Sequence, residues 1–261
     1  MGASLNVLTI GDVVGRAGRD ALKELLPGLK REFAADLTIV NGENAAQGKC
    51  VTPETADEIF KFGADVITSG NHVWNNKKVL DYLEREERLL RPANYPHGAK
   101  GAGSWTGTVK GKRIVVINLI GRLFMDAVDC PFRKFDELFA EHRQSADLIA
   151  VDFHAEATSE KRALGFYVDG RASLVYGTHT HVQTADEEIL PKGTGYISDL
   201  GMTGSFDSII GMQKEIAIGN FLTQTKTRLE VASGKARING ALFRVGEDGQ
   251  TESVIRINRA L

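Results

Sequence analysis

Two histidines stand two positions apart, directly after a short apolar run. The run Leu174–Tyr176 leads into Gly177, and His179 and His181 follow it. In an extended backbone this spacing puts both imidazoles on the same side, with Thr180 pointing the other way. Neutral imidazole is the commonest metal ligand among side chains. The pattern therefore suggests a metal site, and the alternative is a pair of ordinary strand histidines satisfied by hydrogen bonds.

The elements before this motif alternate between strand and helix. Short apolar runs predict strands at Val7–Ile10, Leu37–Val40 and Val66–Thr68. A helical apolar spacing extends from Ala21 to Phe33, and Pro27 is expected to kink or divide that helix because proline lacks an N–H. Alternating strands and helices predict βαβ units and a mainly parallel first sheet.

The second half of the chain predicts another layer. Ser104–Val109 and Arg113–Leu119 flank a glycine turn and read as a hairpin, while Leu148–Phe153 reads as a buried strand. The glycine-bearing segment Gly201–Gly211 is expected to be a loop. Its backbone N–H groups could face a phosphate, or it could be a plain connector, and the sequence does not separate these alternatives.

Five of the predicted strands end beside polar side chains that can bind metal. Ligands of α/β sheets gather outside the carboxyl ends of the strands, so these residues can converge although they are far apart in the chain. Carboxylate, amide and imidazole together suit Mn, Fe or Zn. Taken singly, Asp12 could cap a turn and Asn44 could bond its own loop. The candidates are Asp12, Glu43, Asn44, Asn71, His72, His154, His179 and His181.

Composition excludes several other classes of protein. The 261 residues carry a net charge of -2, which lacks the basic excess expected of a protein that binds duplex DNA. Cys50 and Cys130 form no disulfide framework and no zinc knuckle, and no apolar run approaches a membrane span. We expect a cytoplasmic protein without a membrane partner. Two divalent cations facing only Asp12 and Glu43 would leave a positive pocket that favours phosphate.

The order of these motifs resembles the calcineurin-like metallophosphoesterases over nearly the whole chain. The segments on which this resemblance rests are Gly11-Asp12, Gly42-Glu43-Asn44, Gly70-Asn71-His72, His154 and Gly177-Thr178-His179-Thr180-His181. The particular form of three segments is similar to the bacterial YmdB-type branch of this superfamily. These segments are Asn41–Ala46, Gly70–Trp74 and Ser198–Gly204. The resemblance implies an α/β fold of four layers, an αββα sandwich of two mixed sheets flanked by helices, formed by residues 1–261 as a single domain. It also implies phosphodiesterase activity on cyclic nucleotides.

The resemblance also implies roles for individual residues. Glu43 would bridge two metals. Asp12 and His181 would complete one of them, and the other would be held by three residues, namely Asn71, His154 and His179. The implied cofactors are two divalent or mixed-valence ions, with Fe and Mn ahead of Zn.

The sequence departs from the superfamily pattern at three positions, one of which is Glu43, where most members have Asp. The first motif reads Asp12-Val13-Val14 where Asp-x-His is usual, and Asn44 would fill that vacancy with an amide oxygen. His72 would be the general acid, although Val73 stands where many members carry an acid that orients it.

The sequence thus predicts a dinuclear phosphodiesterase that hydrolyses 2′,3′-cyclic or 3′,5′-cyclic nucleotides. A hydroxide held between the metals would attack phosphorus, and His72 would protonate the leaving oxygen. The rivals are a phosphomonoesterase or RNase on the same site, a regulatory nucleotide-binding protein with negligible turnover, and a closed structural metal site. The expected partner is a small phosphodiester or nucleotide, and a symmetric homo-oligomer is expected from size and class.

Overall fold

A computed structural model describes residues 4–261 of the chain. These residues form thirteen strands, which are β1 Leu5–Ile10, β2 Asp12–Val13, β3 Leu37–Asn41, β4 Val66–Thr68, β5 Ser104–Val109, β6 Lys112–Ile120, β7 Leu148–His154, β8 Leu174–Thr178, β9 Glu188–Ile189, β10 Gly195–Ile197, β11 Met202–Ser205, β12 Ala236–Val245 and β13 Thr251–Ala260. Their α-helices are α1 Gly15–Glu32, α2 Pro53–Phe62, α3 Val79–Arg85, α4 Pro131–His142, α5 Thr158–Val168 and α6 Lys214–Thr223. A 3-10 helix covers Asn71–Asn75.

The strands form two mixed sheets. The first has the order β2-β11-β12-β1-β3-β4, and β13 pairs with β12. Strands β1, β3 and β4 are parallel, as predicted, but the C-terminal hairpin β12–β13 adds antiparallel pairs, so the sheet is mixed. The second sheet has the order β5-β6-β7-β8-β10-β9, parallel from β6 to β10 with an antiparallel strand at each edge.

Three apolar clusters separate the layers. Alternate residues of β1 and β6 face opposite ways because side chains in a strand have a period of two. Val7 and Val116 lie in the cluster between the sheets, Leu8 packs toward α1 and α2, and Val115 packs toward α4 and α5. The molecule is therefore a four-layer αββα sandwich, and this prediction is confirmed.

Two local predictions are wrong in part, and tertiary contacts explain both. Helix α1 is not divided at Pro27, since it runs unbroken from Gly15 to Glu32 and packs Leu22, Leu26 and Leu29 against the first sheet. Segment Gly201–Gly211 contains strand β11, which pairs with β2 in parallel and with β12 antiparallel. The pairing of β11 with β2 joins residues about 190 positions apart, so it leaves no local sequence pattern.

No helix in the described range 4–261 has the length and apolar character needed to span a membrane.

Candidate metal centre

The candidate residues lie at the carboxyl ends of strands from both sheets. Strands β1, β3 and β4 of the first sheet lead to Asp12, to Glu43 with Asn44, and to Asn71 with His72. In the second sheet, β7 ends at His154, and β8 leads to His179 and His181. The edge where the two sheets meet thus brings these positions together, as the strand-end argument predicted.

The backbone of the histidine pair differs from the prediction. Strand β8 ends at Thr178, and His179 and His181 have φ values of 100° and 67°, so neither is in extended backbone. Non-glycine residues rarely adopt positive φ, and functional sites are where such strain is retained. Thr180 between them is held by Asp199, whose Oδ2 accepts from its backbone N–H at 3.2 Å and its hydroxyl at 2.7 Å. The bend directs the two imidazoles at different partners.

The ring orientation of His154 is set by a hydrogen-bond chain. The Thr178 hydroxyl donates to Asp152 Oδ1 at 2.8 Å, so its oxygen accepts from His154 Nδ1–H at 2.9 Å. This assigns the proton to Nδ1 and leaves the lone pair of Nε2 facing the cluster. Burial raises the pKa of Asp152 to about 6, even though Thr68 donates to it.

The other two imidazoles are arranged in the same manner. His179 Nε2 lies 3.2 Å from a carboxylate oxygen of Glu156, and His181 Nδ1 lies 2.8 Å from the carbonyl oxygen of Ile210. Each outer nitrogen faces an acceptor and so carries the proton, while the inner nitrogen turns its lone pair inward. Metal-binding histidines are held by such outer acceptors, which fix the tautomer.

The inward atoms are close enough to share an ion. His154 Nε2 lies 3.0 Å from His179 Nδ1 and 3.0 Å from Glu43 Oε2. Two ligand atoms bound at ~2.1 Å and at right angles to one ion lie about 3 Å apart, so these separations fit a common cation. Glu43, His154 and His179 form a group whose ligand atoms all lie within 4.8 Å of one another.

Three buried oxygens at the site have no hydrogen-bond partner in the described part of the chain. They are Asp12 Oδ1, Glu43 Oε2 and Asn71 Oδ1. A buried polar atom without a partner is costly, and coordination to a cation would satisfy all three. Gly70 also preserves the space, because a Cβ there would collide with Glu43 Oε2 and with the ring of His154. The residues present therefore fit a metal centre.

The side chain of Asn44 contacts both His181 and His72. Its Nδ2 lies 3.1 Å from His181 Nε2, and its Oδ1 lies 2.8 Å from His72 Nδ1. Asp12 Oδ1 is 3.8 Å from His181 Nε2, and Asp12 Oδ2 accepts from the backbone N–H of His179 at 3.1 Å. Asn44 thus contacts two of the candidate histidines, in addition to being a candidate ligand itself.

The ring of His72 is oriented by Asn44 and Glu43, which the sequence did not predict to orient it. Its Nδ1 lies 2.8 Å from Asn44 Oδ1 and 3.1 Å from Glu43 Oε1. Val73, at the position of the missing acid, is fully buried in the core. Two oxygen atoms therefore hold the ring, and His72 remains about one-third exposed.

The carboxylates set the charge preference of the cluster. Burial raises the pKa of Asp12. Burial also acts to raise the pKa of Glu43, but His154 and then His72 outweigh it and hold that pKa well below the usual range. For His154, burial is outweighed by Glu43 and Asp12, and its pKa rises to about 9, whereas burial beside His154 lowers the pKa of His179 to about 3. The negative charge of Glu43 and Asp12 therefore favours a positive charge at His154 Nε2, which a proton or a bound cation would supply.

Sequence reasoning missed the residues that support the site. Asp152 accepts from Asn41 at 3.1 Å and from Thr68 at 2.5 Å, and both donors belong to the other sheet. Lys161 donates to Asp199 at 2.6 Å, and both residues are almost completely buried. The sequence does contain one sign of the role of Asp152, which is that it is the only charged side chain in the apolar run Leu148–Phe153.

A pocket of about 390 Å³ opens beside the cluster. Asn44, His72, His179 and His181 are among the residues that line it. A substrate held there would lie beside the candidate metal ligands and His72, so the pocket is the candidate substrate site.

Two facing mixed sheets with carboxylate, amide and imidazole side chains at their shared edge define the fold and site of a calcineurin-like phosphoesterase. The chain belongs to the YmdB-like family, whose sequence profile matches residues 8–257. The predicted family is confirmed.

Relatives and solved structures cover nearly the whole chain. A 2′,3′-cyclic-nucleotide 2′-phosphodiesterase of Bacillus subtilis is 50% identical over 257 residues, which cover 98% of this chain and 97% of that protein. A crystal structure from Thermus thermophilus, described as a hypothetical protein, has a TM-score of 0.93 at 43% identity and covers 98% of this chain and 99% of its own. A structure described as a novel phosphatase, from Mycoplasma pneumoniae, has a TM-score of 0.94 at 35% identity, with coverages of 100% and 95%.

Proposed function

We propose that this protein is a metal-dependent phosphodiesterase that hydrolyses cyclic nucleotides at a dinuclear centre. The observation that carries the proposal is the arrangement of His154, His179 and His181. Each has an outer nitrogen facing an acceptor and an inner nitrogen facing another candidate ligand residue. The activity for which the Bacillus subtilis relative is named favours a 2′,3′-cyclic over a 3′,5′-cyclic nucleotide.

The contacts of Glu43, His154 and His179 support one ligand set, and the resemblance to the superfamily implies a second set that shares Glu43. His154 and His179 face each other at 3.0 Å and would hold one ion with Asn71, whose Oδ1 is buried and unpartnered. The other ion would be held by three residues around the Asn44 amide, namely Asp12, Asn44 and His181. Oxygen and imidazole ligands suit Fe and Mn, and Zn would also accept them.

Bound ions would supply Lewis-acid charge to the phosphoryl oxygens and would lower the pKa of a water molecule toward ~7. The protein's own acid is His72. Asn44 Oδ1 and Glu43 Oε1 face its Nδ1, so Nδ1 carries a proton and the far edge of the ring is directed to the pocket. In that position a protonated Nε2 can deliver its proton to the leaving oxygen of the ester.

The pocket size supports a small substrate. A space of about 390 Å³ suits a nucleotide and lies in the range of small-molecule sites. The net charge of -2 does not favour duplex DNA as a partner. We further propose that the chain acts as one domain, because its two sheets contribute ligands to the same site.

A second candidate function is phosphomonoester hydrolysis. The Mycoplasma pneumoniae structure is described as a phosphatase, and the same ligands could bind a terminal phosphate. A regulatory nucleotide-binding protein is a weaker rival, because a binder has no use for the oriented proton donor His72.

The test pairs metal analysis with a substrate panel. Purified protein is assayed for bound Fe, Mn and Zn, then for hydrolysis of 2′,3′-cyclic nucleotides, 3′,5′-cyclic nucleotides and phosphomonoesters. Glu43→Gln should lose metal and activity together, because a neutral amide cannot offset charge between two cations. The exposed Glu87→Gln serves as the matched control. Full activity in Glu43→Gln with an unchanged metal content would overturn the dinuclear assignment.

A further inference from the structure

The pocket beside the metal centre has two chemically different walls. One wall carries the polar groups of the metal centre, including His72, His179 and His181. The other part of the lining, here called the apolar wall, comes from helix α6 and the segments on either side of it. Its members are Ile209, Ile210, Met212, Ala217, Phe221 and Leu229.

A strained turn brings Ile210 to this wall. Ile209 and Met212 exchange two backbone hydrogen bonds of 2.9 Å, and the two residues between them, Ile210 and Gly211, have φ values of 46° and 97°. A β-branched residue at positive φ is an outlier, because its Cβ crowds the backbone. The carbonyl oxygen of Ile210 faces His181 Nδ1. Ile210 is 50% exposed and lines the pocket. The turn therefore joins the metal centre to the apolar wall.

Helix α6 contributes an aromatic ring without a competing polar group. Phe221 lines the pocket and is 72% exposed, and Ala217 is the helix's buried residue. Asn220 also lines the pocket, but its Nδ2 and Oδ1 are both bonded to the backbone of Thr227 at 2.9 Å. Helix α6 therefore offers the pocket apolar and aromatic contacts, because the side-chain amide of Asn220 is already hydrogen-bonded to Thr227.

We propose that this apolar wall is the base-binding subsite, in which Phe221 and Ile210 contact the nucleobase of the substrate. The proposal rests on the proposed function, which puts the phosphate at the metal centre. A cyclic nucleotide has a charged end and a flat apolar end, and the pocket matches both with its two walls. Stacking on an aromatic ring tolerates every base, because each base has a π-face. The subsite therefore recognises a base without selecting among the four.

The experiment compares two cyclic esters with the Mn²⁺-loaded enzyme. One is adenosine 2′,3′-cyclic phosphate, and the other is 1-O-methylribofuranose 2′,3′-cyclic phosphate, which has the same ester but no base. Phe221→Ala should lower kcat/KM for the nucleotide about tenfold, mainly through KM, and leave the baseless ester unchanged. Phe221→Trp should retain the nucleotide activity. Leu222→Ala is the matched control, since Leu222 is 79% exposed on the same helix but does not line the pocket.

The outcomes separate the subsite from the proposed function. Equal loss on both esters in Phe221→Ala, or no loss on either, would overturn the subsite while hydrolysis by the wild type upholds the function. A wild type that hydrolyses the two esters with equal kcat/KM would also overturn it. Hydrolysis of neither ester by the wild type would overturn the function and the subsite together. Values of kcat/KM within about tenfold for all four bases are expected from a stacking surface.

Discussion

The Thr68 hydroxyl lies 2.5 Å from the carboxylate of Asp152, and this buried hydrogen bond crosses from the first sheet to the second. Asn41, also in the first sheet, donates to the same carboxylate oxygen at 3.1 Å. Asp152 then accepts from Thr178 in its own sheet, and Thr178 orients His154. One buried carboxylate thus links the two sheets and, through Thr178, orients the imidazole of a candidate metal ligand.

Replacing Thr178 by valine tests this chain of hydrogen bonds. Thr178→Val keeps the shape of the side chain but removes the acceptor for His154 Nδ1–H and a donor to Asp152. Loss of such an outer partner typically lowers metal affinity about 10–100-fold. Competitive chelator titration measures the affinity. Thr178→Ser retains the hydroxyl and should restore binding, and equal affinities in the valine and serine variants would show that the hydroxyl has no such role.

A methyl group at Gly70 should disrupt the site without altering the core. In Gly70→Ala the Cβ would meet Glu43 Oε2 and the ring of His154, so both groups must move. We expect loss of bound metal and of activity, measured by elemental analysis and a phosphodiester assay. The control is Gly28→Ala, because a Cβ at Gly28 of helix α1 has no neighbour within 4 Å. It should keep its metal and hold or gain stability, since alanine is about 1 kcal/mol better than glycine in a helix. Normal metal content in Gly70→Ala would contradict the packing argument.

The ion pair of Lys161 and Asp199 should be costly to break from one side. Asp199→Asn leaves a buried ammonium without its counter-charge, and the expected loss in the free energy of unfolding is about 3–5 kcal/mol. Because Asp199 also holds Thr180, metal binding should weaken as well. Urea denaturation measures the stability.

The double variant Lys161→Met with Asp199→Asn removes the stranded charge and serves as the comparison. It should recover most of the lost stability but not the metal affinity, because Thr180 still lacks its carboxylate partner. Recovery of both quantities would show that Asp199 acts only through Lys161.

The general-acid role of His72 predicts a dependence on the leaving group. A ribose alkoxide needs a proton to depart, whereas nitrophenolate departs with little help. His72→Ala should retain its metals, lose activity on a nucleotide diester by about 10²–10⁴-fold, and lose far less on a nitrophenyl ester. The exposed His97→Ala is the control. Equal losses on both esters would indicate phosphate positioning by His72 in place of proton transfer.

Much of the candidate site could be predicted from the sequence, because residues that follow parallel strands lie at the same edge of a sheet. Apolar runs ending at Asp12, Glu43 and His154 predicted parallel strands, and the carboxyl ends of parallel strands meet at one edge. Residue chemistry then indicated the class of ligand, since carboxylate and imidazole near each other suit a divalent cation. The four-layer fold followed from the resemblance of the motifs.

Tertiary structure decided what depends on contacts between distant segments. The bend at His179 and His181 needs Asp199 and Asp12, which the sequence separates from it by 18 or more positions. Strand β11 exists because β2 and β12 lie on either side of it, and no local pattern records that pairing. The direction of each imidazole depends on which acceptor faces its outer nitrogen, a choice made only when the two sheets pack. Sequence patterns specify residue types and local periods, whereas tautomers, backbone strain and buried charge pairs arise from the three-dimensional neighbours.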